Sequence, residues 1–202
     1  MPSKPMGLRE RNRIRTRDEI LVAMSTLLGE RRYQDITIDD VAQQAGVSRG
    51  TIYSYFPEGR DQLVRDAYQR VAAIVAEDGA KRREQHTLVT DRIIGLASAL
   101  VEVTVTPEGR FYGIMGPDIL GALAGVTGTA SRLFLSMLTE DLASAEAAGL
   151  LGPDAPVEEL AVLLSGAMRE IGVAAARNPQ RAPQLLHALR LNCDALLAHG
   201  AP

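Results

Sequence analysis

The stretch DDVAQQAGVSRGTIYSYF, Asp39 to Phe56, constrains the fold more than any other segment. A short apolar pattern stops at Gly46. A second starts after Ser48 and carries two tyrosines but little apolar surface. Thr37 reads as an N-cap, with Asp39 and Asp40 in the first turn, where the helix dipole favours acids. The helix expected over Ile38–Ala45 buries Ile38, Val41, Ala42 and Ala45. Gly46 supplies the left-handed turn that ends it. Ser48 caps the next helix, about Arg49 to Phe56, which Pro57 and Gly59 break. Two short helices joined by a glycine turn make a helix-turn-helix. Ala42 is small where the helices approach, and Val47 and Ile52 pack the second onto the first. Arg49, Gly50, Thr51, Tyr53, Ser54 and Tyr55 are left to face outward. In such motifs that end of the second helix enters the major groove of DNA. Hydroxyls there donate to phosphate, and arginine can read guanine bidentately.

The rest of the chain reads as helical. A helix is expected from about Arg13 to Arg32, with Ile20, Leu21, Met24, Leu27 and Leu28 on one face. A long amphipathic stretch runs from Arg60 to about Arg83 with no linker before it. Further helices are expected at about Asp91–Thr104, Ala130–Ala148, Val157–Asn178 and Ala182–His199. The glycines and prolines between Pro107 and Gly128 predict short or irregular helices there. No alternating strand pattern or internal repeat is visible. The fold class is therefore all-α, with a three-helix unit over residues 1–60 and a helical bundle over 61–202.

Charge is unevenly spread. Met1 to Arg17 holds six Lys or Arg against one acid, a net +5, while Asp61 to the C-terminus carries 12 bases and 17 acids, a net −5. A basic arm on an acidic body suits a polyanion partner at one end. Met1 to about Leu8 is expected to be disordered. No apolar N-terminal stretch reads as a signal peptide, and no run is long enough to span a bilayer. One cysteine, Cys193, excludes an internal disulfide and a multi-Cys zinc site. A cytoplasmic protein follows as the simplest expectation. His86, His187 and His199 show no metal-ligand spacing. No phosphate loop or nucleophile elbow is present, so neither a cofactor nor an enzymatic activity is expected.

The segment TIDDVAQQAGVSRGTIYSYF resembles the DNA-binding signature of the tetracycline-repressor (TetR) family. The resemblance covers about Arg17 to Leu63; beyond it, only helical pattern and length are similar. It implies a homodimer bound to double-stranded DNA, Thr37 capping the second helix and touching phosphate, and base or phosphate contacts from Arg49, Thr51, Tyr53, Ser54 and Tyr55, with Ser48 and Gly50 in the same motif. The arm, with Arg13 and Arg17, would add sequence-blind affinity. The family usually shows Phe, two or three loop residues and a Lys before the next Leu. Here FPEGRDQL is one residue longer and uses Arg60 as the basic residue opening the fourth helix.

For the second unit the resemblance implies a small-molecule effector. Phe111, Tyr112, Met115, Phe134, Met137, Leu138 and Met168 are its bulky or pliable residues and the expected pocket lining, although each also suits an ordinary core. Arg110, Arg132 or Arg169 could meet an anion. The two closing helices are apolar on more than one stripe. By resemblance they form a four-helix dimer interface, through Leu160, Leu164, Ile171, Leu185, Leu189, Cys193 and Leu196. The expected function is a ligand-responsive transcriptional regulator, with a DNA-binding protein lacking an effector as the alternative.

Overall fold

The computed structural model describes residues 7–126, 128–152 and 154–198. Among them run nine α-helices and no strand: α1 (Leu8–Glu30), α2 (Ile38–Ala45), α3 (Arg49–Tyr55), α4 (Arg60–Glu84), α5 (Val89–Thr104), α6 (Arg110–Ile114), α7 (Thr129–Ala147), α8 (Val157–Arg177) and α9 (Ala182–Ala198). The all-α expectation holds. Most of the disorder expected at the N-terminus falls on Met1–Met6, outside the described residues, as does His199. Helix α1 starts five residues earlier than expected. Nothing after Gly7 breaks it, and Leu, Arg and Glu are good helix formers.

Ile20 and Met24 of α1, Val41 of α2, Ile52 of α3 and Phe56 just beyond it are fully buried and form the centre of the three-helix unit. Helix α2 opens with a capping box: the Thr37 hydroxyl accepts the Asp40 N–H, and the Asp40 carboxylate accepts the Thr37 N–H. The hydrogen bonds from Thr37 hold the Asp40 carboxyl below its ordinary value. Val41 and Ala42 are buried, but Ile38 and Ala45 are only half-buried, because an eight-residue helix turns its ends out of a small core. Gly46 ends α2 at φ 66°. No heavy atom lies within 4 Å of where its Cβ would be, so the left-handed backbone, not crowding, calls for glycine. The N–H groups of Gly46 and Val47 then take up the carbonyls of Gln43 and Ala42. A single 3-10 turn, Tyr33–Asp35, was not anticipated; it links α1 to α2.

Helix α4 has 25 residues, about 38 Å of rod. Near its start, Arg17 of α1 pairs with Asp66, and Arg70 pairs with Asp18 of α1. Near its end, Gly79 lies so close to Phe134 that a Cβ would stand 2.7 Å from the ring. One rod therefore touches both the three-helix unit and the bundle. Helix α5 is central, with Ile93, Leu96, Ala97 and Val101 buried and α4, α7, α8 and α9 around it. Between α5 and α7 the chain is irregular as expected: α6 has five residues, a 3-10 turn follows at 117–119, and Gly128 is left-handed at φ 84°. No helix among the described residues is long and apolar enough to cross a membrane.

Candidate nucleic-acid interface

Ile52 is the one buried residue of α3. Arg49, Gly50, Tyr53 and Ser54 are exposed, at i, i+1, i+4 and i+5, so they make one contiguous outward face. Thr51 and Tyr55 are half-buried, and Tyr55 packs beside Phe56 with ring centres 6.5 Å apart. The outward face is thus narrower than the six residues expected from sequence. The Arg49 guanidinium sits 5.7 Å from the Tyr53 ring and 3.3 Å from the Asp39 carboxylate. Hydrogen bonding with Tyr53, and then the charge of Asp39, hold the guanidinium above its ordinary pKa. The Ser48 hydroxyl accepts the Thr51 N–H at 3.0 Å, and the Ser54 hydroxyl donates to the Thr51 carbonyl at 2.7 Å.

The flanking arginines divide into two groups. Arg9, Arg11, Arg13 and Arg15 are exposed on the part of α1 that extends past the core, so the basic arm is helical from Leu8 onward. Arg9, Arg13 and Arg17 are spaced four apart and share one stripe of that helix. Arg17 is held: its guanidinium meets Asp66 at 2.7 Å and lies 5.2 Å from the Phe56 ring. Arg60 is held more firmly. It donates to the Ile36 carbonyl at 2.9 Å and stacks 4.4 Å from the Tyr33 ring. Its side chain turns inward, against the end of the 3-10 turn. Tyr33 in turn donates to Asp61; burial first, then that hydrogen bond, raises its hydroxyl to about 12.

Residues 20–67 match the family model of the bacterial regulatory proteins of the tetR family. Residues 20–67 carry the DNA-binding domain of the TetR family. The matched segment runs from the first buried residue of α1 through α2 and α3 to the second turn of α4. Within that segment α2 and α3 are the helix-turn-helix DNA-binding motif. An uncharacterised HTH-type transcriptional regulator of Mycobacterium tuberculosis is 34% identical over 105 residues, which span 46% of this chain and 54% of that protein. The match thus spans about half the length of that curated relative. Solved structures share the whole fold. The fatty acid degradation regulator FadR of Bacillus halodurans superposes with a TM-score of 0.74 at 18% identity, over 96% of this chain and 97% of its own. FadR of Bacillus subtilis, solved in complex with stearoyl-CoA, gives 0.69 at 17% identity over 92% and 99%.

The helical bundle contains a cavity of about 230 Å³ between α5, α6, α7 and α8. Tyr112, Met115, Phe134 and Met168 line it; Phe111, Met137 and Leu138 do not. Phe111 turns the other way, into a cleft against Leu28 and Gly29 of α1. Met137 and Leu138 fill the core. Val75, Leu100, Thr104 and Gly172 also line the cavity, and no local pattern marks them out, since each reads as ordinary core. Burial pushes the Tyr112 hydroxyl above its usual range, beside the Tyr68 ring at 5.1 Å. Arg110 donates to the Ala176 carbonyl at the end of α8, whereas Arg169 lines the cavity.

On the far side, α8 and α9 enclose an apolar groove of about 750 Å³. Leu160, Leu185 and Leu196 border it half-buried, while Leu164, Ile171 and Leu189 lie nearly or fully inside the protomer. Cys193 is wholly inside: it packs within the bundle rather than on a face, and burial pushes its thiol up to about 11, far from a reactive thiolate. Leu163, by contrast, is 69% exposed on the groove.

Proposed function

We propose that the protein is a homodimeric, ligand-responsive transcriptional repressor. It reads a palindromic operator with α3 and releases it when a small hydrophobic effector fills the bundle cavity. The observation that carries this is the outward face of α3. A helix that buries Ile52 alone contributes little to a core, and its other side offers a guanidinium, a phenol and a hydroxyl to a partner. Arg49 takes a base edge; Tyr53, Ser54 and Thr51 take phosphate. The Thr37 and Ser48 hydroxyls are committed to helix caps, so they act by fixing the helix ends. Arg13 meets phosphates from the α1 stripe, whereas Arg17, through Asp66 and the Phe56 ring, and Arg60, through Ile36 and Tyr33, brace the motif, and Tyr55 does so from its half-buried position.

Gly50 separates fold from recognition. A Cβ there would meet nothing closer than the Ser48 hydroxyl at 3.8 Å, so the protomer itself has room for a side chain. Its use is close approach of a duplex to the backbone. Gly50→Ala is expected to keep or raise stability, by at most about 1 kcal/mol, while weakening operator binding. A thermal melt and an anisotropy titration of the same variant check both halves.

A short recognition helix reads few base pairs, so two half-sites are needed. The exposed apolar edge of α8 and α9 supplies the surface for pairing. Leu163→Glu should give a folded monomer in sedimentation and lose the palindromic site; a dimer that survives the change would place the interface elsewhere. Residues 1–60 and 61–202 divide the labour, with α4 between them: it carries the motif at one end and sets Val75 against the cavity. An effector works only if it binds the two positions of that rod unequally. The cavity supports this over a DNA-binding protein without an effector, and a fold neighbour solved with stearoyl-CoA supports a hydrophobic one.

Selection of bound sequences from random duplexes tests the whole reading. The expected product is one palindrome with half-sites about 34–36 Å apart or a multiple of that. Enrichment of no site would refute it.

A further inference from the structure

The charge pattern of the bundle cavity is one-sided. Its wall is apolar at Val75, Leu100, Phe134 and Met168, and no Asp or Glu lines it among the described residues. Arg169 is the one cationic side chain among its lining residues. Among the described residues Arg169 makes no ion pair or side-chain hydrogen bond. Arg82, Arg83, Arg92 and Arg190 of the same bundle are each held by a carboxylate. The hydroxyls of Ser131 and Ser165, on the same wall, are likewise uncommitted. Tyr112 adds no negative charge, because burial keeps its phenol protonated. Ala130 and Ser131 belong to the first turn of α7, which has no side-chain cap and no acid, so the positive end of that helix adds to the same field.

Resting on the effector reading above, we propose that the ligand of this cavity is an amphipathic carboxylate. Its aliphatic body lies between Leu100, Phe134 and Met168, and its carboxylate meets Arg169 and Ser165. Arg169 is exposed, so water solvates its charge before a ligand binds. A carboxylate then exchanges that water for a charge-assisted pair. A neutral amphiphile cannot make the exchange, and a cationic one is repelled. At about 230 Å³ the cavity falls below the roughly 300–1,000 Å³ of drug-sized sites. A medium-chain acid suits that space better than a long acyl thioester.

Calorimetric titration of the full chain tests this, with straight-chain carboxylates from hexanoate to dodecanoate and the alcohol and amine of matched length. The best carboxylate is expected to bind at least roughly tenfold tighter than its alcohol, and Arg169→Gln to cost it about ten- to a hundredfold while sparing the alcohol. Ser165→Phe, which fills the cavity from a half-buried position, is expected to abolish both. Thermal melts establish that each variant is folded. Equal binding of alcohol and acid, or indifference to Arg169→Gln, overturns the carboxylate assignment and leaves the effector cavity standing if Ser165→Phe still blocks. Binding of no amphiphile at all, or binding untouched by Ser165→Phe, overturns both.

Discussion

Arg49→Ala is expected to weaken operator binding roughly ten- to a hundredfold per half-site, and about a hundred- to ten-thousandfold for a two-fold site whose halves add. In the free protein Arg49 is spent on little. Its pair with Asp39 is exposed on both sides, 60% and 68%, and a pair of that kind contributes next to nothing to stability. Breaking it to reach a base edge is therefore cheap, and losing it leaves the fold intact. The stacked Tyr53 ring, 5.7 Å away, keeps the guanidinium at the tip of α3 rather than free in solvent. Arg49→Lys keeps the charge but not the planar fork, so it should recover non-specific affinity and little of the specific part. Arg13→Ala should behave oppositely: a uniform loss on every duplex and a salt dependence shallower by about one unit per protomer. The readout is the ratio of affinities for the selected operator and a scrambled duplex at two salt concentrations. That ratio should collapse for Arg49 variants and hold for Arg13→Ala; an unmoved ratio at Arg49 would sink the assignment.

The recognition motif was legible in the sequence because its boundaries are written by local chemistry. Thr37, Gly46 and Ser48 act on backbone groups within three or four residues of themselves, so α2 starts and stops where expected. The inward turn of Arg60 was not legible. It depends on the carbonyl of Ile36 and the ring of Tyr33, which a three-residue turn brings together. The cavity was half legible for a similar reason. Phe111 and Tyr112 are neighbours in a helix of five residues, too short for any periodicity to say which faces inward. Their orientation is set by Gly113, where a Cβ would stand 2.7 Å from the Ala176 Cβ and 2.9 Å from the Gly172 carbonyl, a contact across 59 or more residues of chain. Cys193 was ambiguous because α9 is apolar on two stripes, and sequence alone does not say which stripe the protomer keeps for itself.

Asp141→Ala is expected to destabilise the protein by about 3 kcal/mol, the low end of the range for breaking a buried ion pair. In sequence Asp141 stands next to Glu140, and nothing local marks it as buried. In the fold its side chain is wholly buried. Arg83 of α4 donates to it from Nε at 2.9 Å and Nη2 at 2.8 Å, and Arg92 of α5 lies 2.7 Å from the same carboxylate. Three helices thus meet on one anion. Removing it strands two guanidiniums, and Arg92 already has a buried Nε without a partner. Two features hold the cost down. The arginine side chains are 14% and 26% exposed and can turn toward water, and Glu140 remains beside Arg83 at 3.0 Å. For a chain of this length about 3 kcal/mol corresponds to a fall of roughly 6–12 °C in Tm. Asp141→Asn keeps the shape and one acceptor but not the charge, and should fall less; an equal loss in both variants would mean that the charge alone, not packing or the retained acceptor, is what Asp141 supplies. The same anion fastens the end of α4 to α7, whose Phe134 lines the cavity. Asp141→Asn should therefore loosen the link between cavity and α3, so that a given effector concentration releases less DNA even where the melt shows a folded protein.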